Sequence, residues 1–220
     1  IRQGNPDANS LDAGGSKTKD ASLEVFNDNK NLLQIFNAGD KLNILRADKI
    51  GDEFGVNYII KGNGNEIERI EEVKKTNATL IMPINFPDAY DVSDSFLAEQ
   101  VVLSDMKFWN QAPYNLKVLA ENNINFALTT ADLKNPKDFL TNLRKAVELG
   151  FPKEKAIAAL TEIPAKIANQ TNIGSLKKGN LANFIIVSGD IFETKSTIQE
   201  NWIQGNRFVI EKIQPSDIRG

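Results

Sequence analysis

Short apolar runs alternate along this chain with longer segments whose apolar residues recur every three or four positions. Leu32-Leu33-Gln34-Ile35-Phe36, Val56 to Ile60, Ala78 to Pro83 and Ile124 to Leu128 are the runs. They read as strands covered on both faces, which need no polar alternation. The segments between them predict helices. Asp40 stands where it can cap a helix, with Leu42, Leu45, Ile50 and Phe54 as its expected apolar stripe and Gly55 as its stop. Glu66 to Lys75 is the next helix, with Ile67, Ile70 and Val73 on one side. The third strand leads into a polar loop over residues 85–94, then helices at Ser95 to Trp109 and Leu116 to Glu121. Beyond the fourth strand come a loop over 129–136 and helices at Asp138 to Leu149, Lys153 to Leu160 and Ala165 to Ala168. Strands and helices alternating at this interval predict βαβ units and a parallel sheet.

The two ends depart from that rhythm. Residues 1–20 are polar and rich in Gly, Asn, Asp and Ser, the composition of a mobile leader or long loop. A short helix over Ala21 to Asn27 follows. Asn183 to Val187, Lys195 to Trp202 and Arg207 to Ile213 predict strands with no helix between them, a small antiparallel addition. The expected organisation is a leader over 1–20, βα units over 21–170 and terminal strands over 171–220.

Composition narrows the chemistry. Hydrophobic residues make up 41% and charged residues 25% of the chain, the balance of an ordinary soluble globular protein. A net charge of -3 gives no reason to expect nucleic acid as a partner. The longest apolar runs, such as Phe184 to Val187, are far short of a membrane span. The chain has neither cysteine nor histidine, which excludes disulfides, thiolate or imidazole metal ligation and Ser-His-Asp catalysis by its own residues. Carboxylates, lysines, tyrosines and hydroxyls remain. The absence of cysteine suits a periplasmic or a cytoplasmic protein and leaves the compartment open. A first residue that is Ile1 and not methionine reads as a processed, trimmed or truncated product.

The final third has the most specific pattern. Leu143-Arg144-Lys145-Ala146-Val147-Glu148-Leu149-Gly150 precedes Thr161-Glu162-Ile163-Pro164-Ala165, then Gly174-Ser175-Leu176-Lys177-Lys178-Gly179-Asn180-Leu181-Ala182-Asn183-Phe184-Ile185-Ile186-Val187. In order and spacing this resembles the closing signature of the amidohydrolase superfamily, and most closely its imidazolonepropionase-like branch. Asn201 to Arg207 resembles the family's last strand pair. The resemblance runs over about residues 30–212 and implies an α/β fold. The chain would be the C-terminal half of a TIM-type (β/α)8 barrel, about four βα units, followed by antiparallel strands of a composite β-sandwich. The four parallel strands would then be barrel strands five to eight.

The resemblance also implies a chemistry and shows where it is altered. Family members bind divalent metal such as zinc at the carboxyl ends of barrel strands, where it activates water for attack on carbon–nitrogen bonds. Asn37 stands in the slot of one histidine ligand, and Lys61-Gly62-Asn63 stands where a second is often found. Ala131 aligns with the strand-eight aspartate, with Asp132 one residue late: either the displaced general base or the cap of the following turn, the cap being favoured. An amide and an ammonium are poor company for a divalent cation, so no cofactor is expected. The reading is a metal-free, non-catalytic amidohydrolase-like protein retained for assembly or small-ligand binding. Its partner would be the missing N-terminal barrel half or a second copy of itself. The alternative is a metal-dependent hydrolase of cyclic-amide-type bonds whose other ligands lie in that missing half.

Other features have plainer readings. Gly62-x-Gly64 lacks the third glycine of a dinucleotide fingerprint and reads as a strand-to-helix turn. Asp88, Asp91 and Asp94 lack the spacing of an EF-hand and read as a solvated loop. Tyr90, Trp109 and Tyr114 suit either a pocket at the barrel mouth or simple aromatic packing.

Overall fold

The structure, a computed structural model, describes residues 9–11 and 17–211. Residues 1–8 and 12–16 of the expected leader lie outside the described residues, as does the chain from residue 212 on. Within the leader, β1 (Asn9–Leu11) and β2 (Lys17–Lys19) pair as a short antiparallel ladder, and α1 (Ala21–Asp28) follows.

The four apolar runs become one parallel sheet in chain order: β3 (Gln34–Asn37), β4 (Tyr58–Lys61), β5 (Leu80–Pro83) and β6 (Phe126–Thr129). Each strand starts a residue or two later than its apolar run, because the ladder forms only where a neighbour stands alongside. The connections are helical: α2 (Lys41–Phe54) joins β3 to β4, and α3 (Ile70–Lys75) joins β4 to β5. Between β5 and β6 come α4 (Ser95–Gln100), α5 (Leu103–Gln111) and α6 (Asn115–Glu121). After β6 follow α7 (Asp138–Glu148), α8 (Lys153–Leu160) and α9 (Glu162–Ile167). A separate antiparallel sheet, β7 (Phe184–Val187), β8 (Ile198–Ile203) and β9 (Asn206–Val209), closes the described chain. This is the predicted α/β architecture, a four-stranded parallel sheet and a distinct three-stranded antiparallel one.

One face of the parallel sheet packs on helices. Ile60, Leu80, Met82 and Phe126 meet Ile44 and Ala47 of α2, Val73 of α3, Leu116 and Leu119 of α6, and Leu143 and Ala146 of α7. Side chains alternate across a strand, so the opposite face carries Ile35 and Asn37, Ile59 and Lys61, Ile81 and Pro83, Ala127 and Thr129. That face is open at β3, where Ile35 is 56% exposed. The antiparallel sheet is tied to the helical layer by Arg144 of α7, whose guanidinium donates to the carbonyls of Ile191 (2.9 Å) and Ser196 (2.8 Å). Within that sheet, Phe184 stacks on Trp202 across the β7–β8 ladder.

Three local departures from the sequence reading have identifiable causes. The predicted apolar stripe of α2 is rotated: Ile44, Ala47 and Gly51 face the core, and of the four expected residues Leu45 packs against it while Leu42, Ile50 and Phe54 are each at least 40% exposed. The i, i+3, i+7 row that includes small residues lets helix and sheet approach closely, and it wins over the row of larger ones. The single helix expected over Ser95 to Trp109 is two, separated by Val101 and Val102 in extended conformation. Two consecutive β-branched residues are poorly suited to the middle of a helix. The helix expected from Glu66 begins instead as a 3-10 turn, Glu66–Arg69, because the Glu66 side chain turns inward. The caps of α2 follow the sequence: the Asp40 carboxylate accepts from the Asn43 N–H at 2.8 Å, and Gly55 adopts a left-handed φ of 67°.

The rotated face of α2 makes a direct prediction. Ile44→Ala should cost about 2–5 kcal/mol of stability, as a fully buried side chain, whereas Ile50→Ala should cost about 0.5 kcal/mol. Urea unfolding of the two variants would show the reverse order if the larger apolar residues were the core-facing row.

Candidate functional site

The carboxyl ends of parallel strands, where no ladder partner continues, are where an α/β fold gathers functional side chains. Three of the residues singled out from sequence meet there. Asn37 ends β3 and Lys61 ends β4, and the two are direct register partners, so their side chains leave the sheet on the same face. Asp132 follows β6, three residues beyond Thr129, with a left-handed φ of 66° that turns it back towards the strand ends. The Lys61 ammonium donates to the Asp132 carboxylate and, at 3.4 Å, to Asn37 Oδ1. Its side chain is 17% exposed against 48% for Asp132. The ion pair is therefore a half-open one, worth no more than about 1 kcal/mol. Asp132 thus serves as the counter-ion of Lys61, and the turn-capping reading favoured from sequence has no hydrogen bond to support it among the described residues. Ala131 contributes only backbone: its N–H donates to Thr129 Oγ1 at 3.1 Å.

The other two sequence candidates, Gly62 and Asn63, belong to a network centred on a residue the sequence reading passed over. Glu66 is fully buried. Its Oε1 accepts from the N–H of Asn63 at 2.9 Å, and its Oε2 accepts from the N–H of Gly64 at 3.1 Å and from Asn115 Nδ2 at 2.7 Å. Asn115, itself buried at the start of α6, accepts at Oδ1 from the Ile67 N–H at 2.8 Å. Gly62 is required by this arrangement, since a Cβ there would come within 2.2 Å of Glu66 Oε1. The loop also reaches sideways: Asn63 Nδ2 donates to the Gly39 carbonyl at 2.6 Å, and Asn65 Oδ1 accepts from the Lys41 N–H at 2.9 Å. The segments that leave β3 and β4 are in this way fastened to each other and to α6. The sequence signal was present as a glutamate directly after Gly-Asn-Gly-Asn, but a glutamate in a first helical turn ordinarily faces solvent.

A cleft of about 380 Å³ lies beside Asp132, bounded by Asn85, Phe86, Asp88, Phe108 and Asn142. Asn85 Oδ1 is buried there and finds no hydrogen-bond partner among the described residues. Its size is that of a small-molecule site. The aromatic residues proposed from sequence do not line it: Tyr90, Trp109 and Tyr114 are all exposed. The loop aspartates each have their own partner. Asp88 pairs with Lys134, Asp91 accepts from the Ser93 N–H and Asp94 caps α4 through the Leu97 N–H.

The donor set at the strand ends does not fit a divalent metal. It offers one carboxylate, one amide oxygen and an ammonium lying between them. Each unit of like charge brought to 4 Å of that ammonium costs about 4 kcal/mol in half-buried surroundings. Among the described residues no three His, Cys, Asp or Glu side chains gather where they could hold a metal ion. No described helix is long and apolar enough to cross a membrane.

Comparison with known proteins supplies the context for this geometry. The model of the amidohydrolase family matches residues 58–208. An adenine deaminase from Clostridium perfringens is 42% identical over 79 residues, which cover 33% of this chain and 14% of that enzyme. An amidohydrolase from Thermotoga maritima superposes with a TM-score of 0.66 at 21% identity, covering 90% of this chain and 50% of its own. The ochratoxinase of A. niger superposes with a TM-score of 0.54 at 20% identity, covering 87% of this chain and 45% of its own. The chain spans about half the length of these solved relatives and a small part of the deaminase. At such identities the superpositions speak for the fold.

Burial raises the pKa of Glu66 above its ordinary value, and the hydrogen bonds from backbone N–H groups and Asn115 only partly offset this. The folded protein therefore takes up this proton more readily than the unfolded chain. The stability so contributed is present below the ordinary value of 4.5 and is lost as the pH rises through the higher value in the fold. In Glu66→Gln that pH-dependent loss should vanish, although the variant forfeits acceptor bonds at a fixed cost of about 1–3 kcal/mol. Urea unfolding of both proteins from about pH 4 to about pH 8 should show the gap between them narrowing with rising pH, and parallel profiles would contradict it.

Proposed function

The chain belongs to the amidohydrolase family, and from that premise we propose that it is a non-catalytic member whose strand-end centre is organised by an ammonium ion in place of a metal. The observation that supports this is the position of Lys61. Its Nζ lies between Asn37 at the end of β3 and Asp132 after β6, and donates to both. A divalent ion drawn together by ligands from several strands would link those same elements. Here one side chain, already charged and already covered, does the linking. Such a centre supplies neither an activated water nor a Lewis acid. It retains a polar, sheltered end to the sheet beside a cleft of small-molecule size, which suits binding of a small polar ligand. Within the family, the imidazolonepropionase-like branch is supported by the closing segment Gly174 to Val187 alone.

The four parallel strands are, in this reading, half of a (β/α)8 barrel. Among the described residues β3 and β6 each have a single neighbour in the sheet, and Ile35 is uncovered on the open face. Unpaired edges and a wet apolar face are costly, so the half-barrel is held to pair with a complementary half of the same family type. A second copy of this chain is the other occupant, and light scattering separates the two, since only self-pairing doubles the mass of the isolated chain.

One observation favours a hydrolytic reading. Asp132 presents a carboxylate just beyond the last described parallel strand, one residue past the place of the family aspartate, and the similarity to an adenine deaminase makes release of ammonia from adenine the assay to run. Elemental analysis of natively purified protein should give far less than one divalent ion per chain. A chelator should leave its thermal midpoint unchanged, and adenine should yield no ammonia. About one zinc or manganese ion per chain, lost to chelator together with ammonia release, would overturn the non-catalytic reading and return Asp132 to a catalytic role.

A further inference from the structure

We infer that Glu66 is the positioning residue of the strand-end centre: its buried carboxylate, acting through the loops that leave β3 and β4, sets the place of Asn37 and Lys61. The inference rests on the reading of Lys61 as the cation of that centre.

Five contacts support it. Glu66 gathers the N–H groups of Asn63 and Gly64, which are the second and third residues after Lys61. Asn115 Nδ2 donates to Glu66 from the start of α6, so the anchor is fastened to a helix packed in the core. Asn63, oriented by its own N–H on Glu66, donates from Nδ2 to the carbonyl of Gly39, two residues beyond Asn37. Asn65 accepts from the Lys41 N–H in the same β3 connection. The backbone of β4 is held by its ladder up to Gly62, whose N–H donates to the Ile81 carbonyl at 3.1 Å. What the ladder does not hold is the path beyond, and that path is what Glu66 closes over Gly62 with no room for a Cβ. A carboxyl group fully buried, ringed by N–H donors and without an ion-pair partner among the described residues is a fixed acceptor that defines where those donors must be. It touches neither Lys61 nor Asp132 and acts only through the loops.

The test reads the lysine, not the fold. Competitive acetylation followed by peptide mass spectrometry measures the reactivity of Lys61 against that of Lys134, whose side chain is 87% exposed. In the parent, Lys61 should react more slowly than Lys134. Asp132→Asn, which removes the direct partner, sets the upper limit of release. Glu66→Gln should raise the Lys61 rate by about tenfold towards that limit, the scale of one lost charge-assisted hydrogen bond, with the rate at Lys153 unchanged. A lowered thermal midpoint with Lys61 within about twofold of the parent would reduce Glu66 to a structural role and overturn the inference. If Glu66→Gln fails to fold, Asn63→Ala serves, since it keeps the backbone N–H on Glu66 and deletes only the side-chain bonds to the Gly39 carbonyl and from the Asn65 N–H. It should raise the Lys61 rate by about threefold, and no change would overturn the inference equally. Elemental analysis of the same samples keeps the two proposals apart. Bound metal would sink the metal-free reading, while an unmoved Lys61 rate in metal-free protein would sink only the role of Glu66.

Discussion

A carboxylate taken fully out of water must be met by donors, and in this protein that requirement organises the ends of the strands. Glu66 has no ion-pair partner among the described residues. Its oxygens are met by two backbone N–H groups and one side-chain amide, from Asn63, Gly64 and Asn115. Leaving such a group without partners would cost several kcal/mol, so the surrounding chain has little freedom. Residue 62 must lack a side chain, the loop must turn within two residues, and α6 must begin with a buried amide at a fixed distance. The first turn after the loop tightens into a 3-10 form for the same reason. Local irregularity at this corner accompanies one buried carboxyl group.

From that corner the geometry of the neighbouring centre follows. Asn37 and Lys61 share a rung of the parallel ladder, and their loops are stitched together by Asn63 and Asn65. Asp132 arrives from the far strand on a backbone turned back by a left-handed residue. The ion pair between Lys61 and Asp132 is too exposed to stabilise the fold by much. Its interest lies in its position, at strand ends that a family of metal-dependent hydrolases uses for chemistry. Belonging to that family fixes the scaffold, while the chemistry depends on the few side chains set upon it. Here those side chains are an amide, an ammonium and one carboxylate, joined by the hydrogen bonds of Lys61.

The order of elements was legible in the chain itself. The apolar runs at Ile35-Phe36, Ile59-Ile60, Leu80 to Met82 and Phe126 to Leu128 read as strands, though Ile35 in the first is exposed and not covered as the run suggested, and the spacing between them left room for helices and little else. Asp40 and Gly55 marked the ends of α2 because capping chemistry is local: a carboxylate one residue before a helix and a residue free to take positive φ one residue after it. The absence of histidine and cysteine was legible too, and it limits what this chain's own residues can supply to carboxylates, amides, lysines, tyrosines and hydroxyls. Asn37, Lys61 and Asp132 were found through a family pattern in the order of residues, and the structure brought all three to one place.

What the sequence could not supply was orientation in three dimensions. It could not say that Ile44 and not Ile50 faces the sheet, because both rows of α2 are apolar and only the closeness of helix to strand chooses the row with alanine and glycine. It could not distinguish Asp132 as a turn cap from Asp132 as the partner of a lysine 71 residues away. Least of all could it show that Glu66 points inward, since the donors that permit it include an asparagine 49 residues further along the chain. Composition, periodicity and caps are set by neighbours in sequence, and the chain alone determined them. The direction of a side chain, and the solvation of a buried charge, are set by neighbours in space, and only the folded structure decided those.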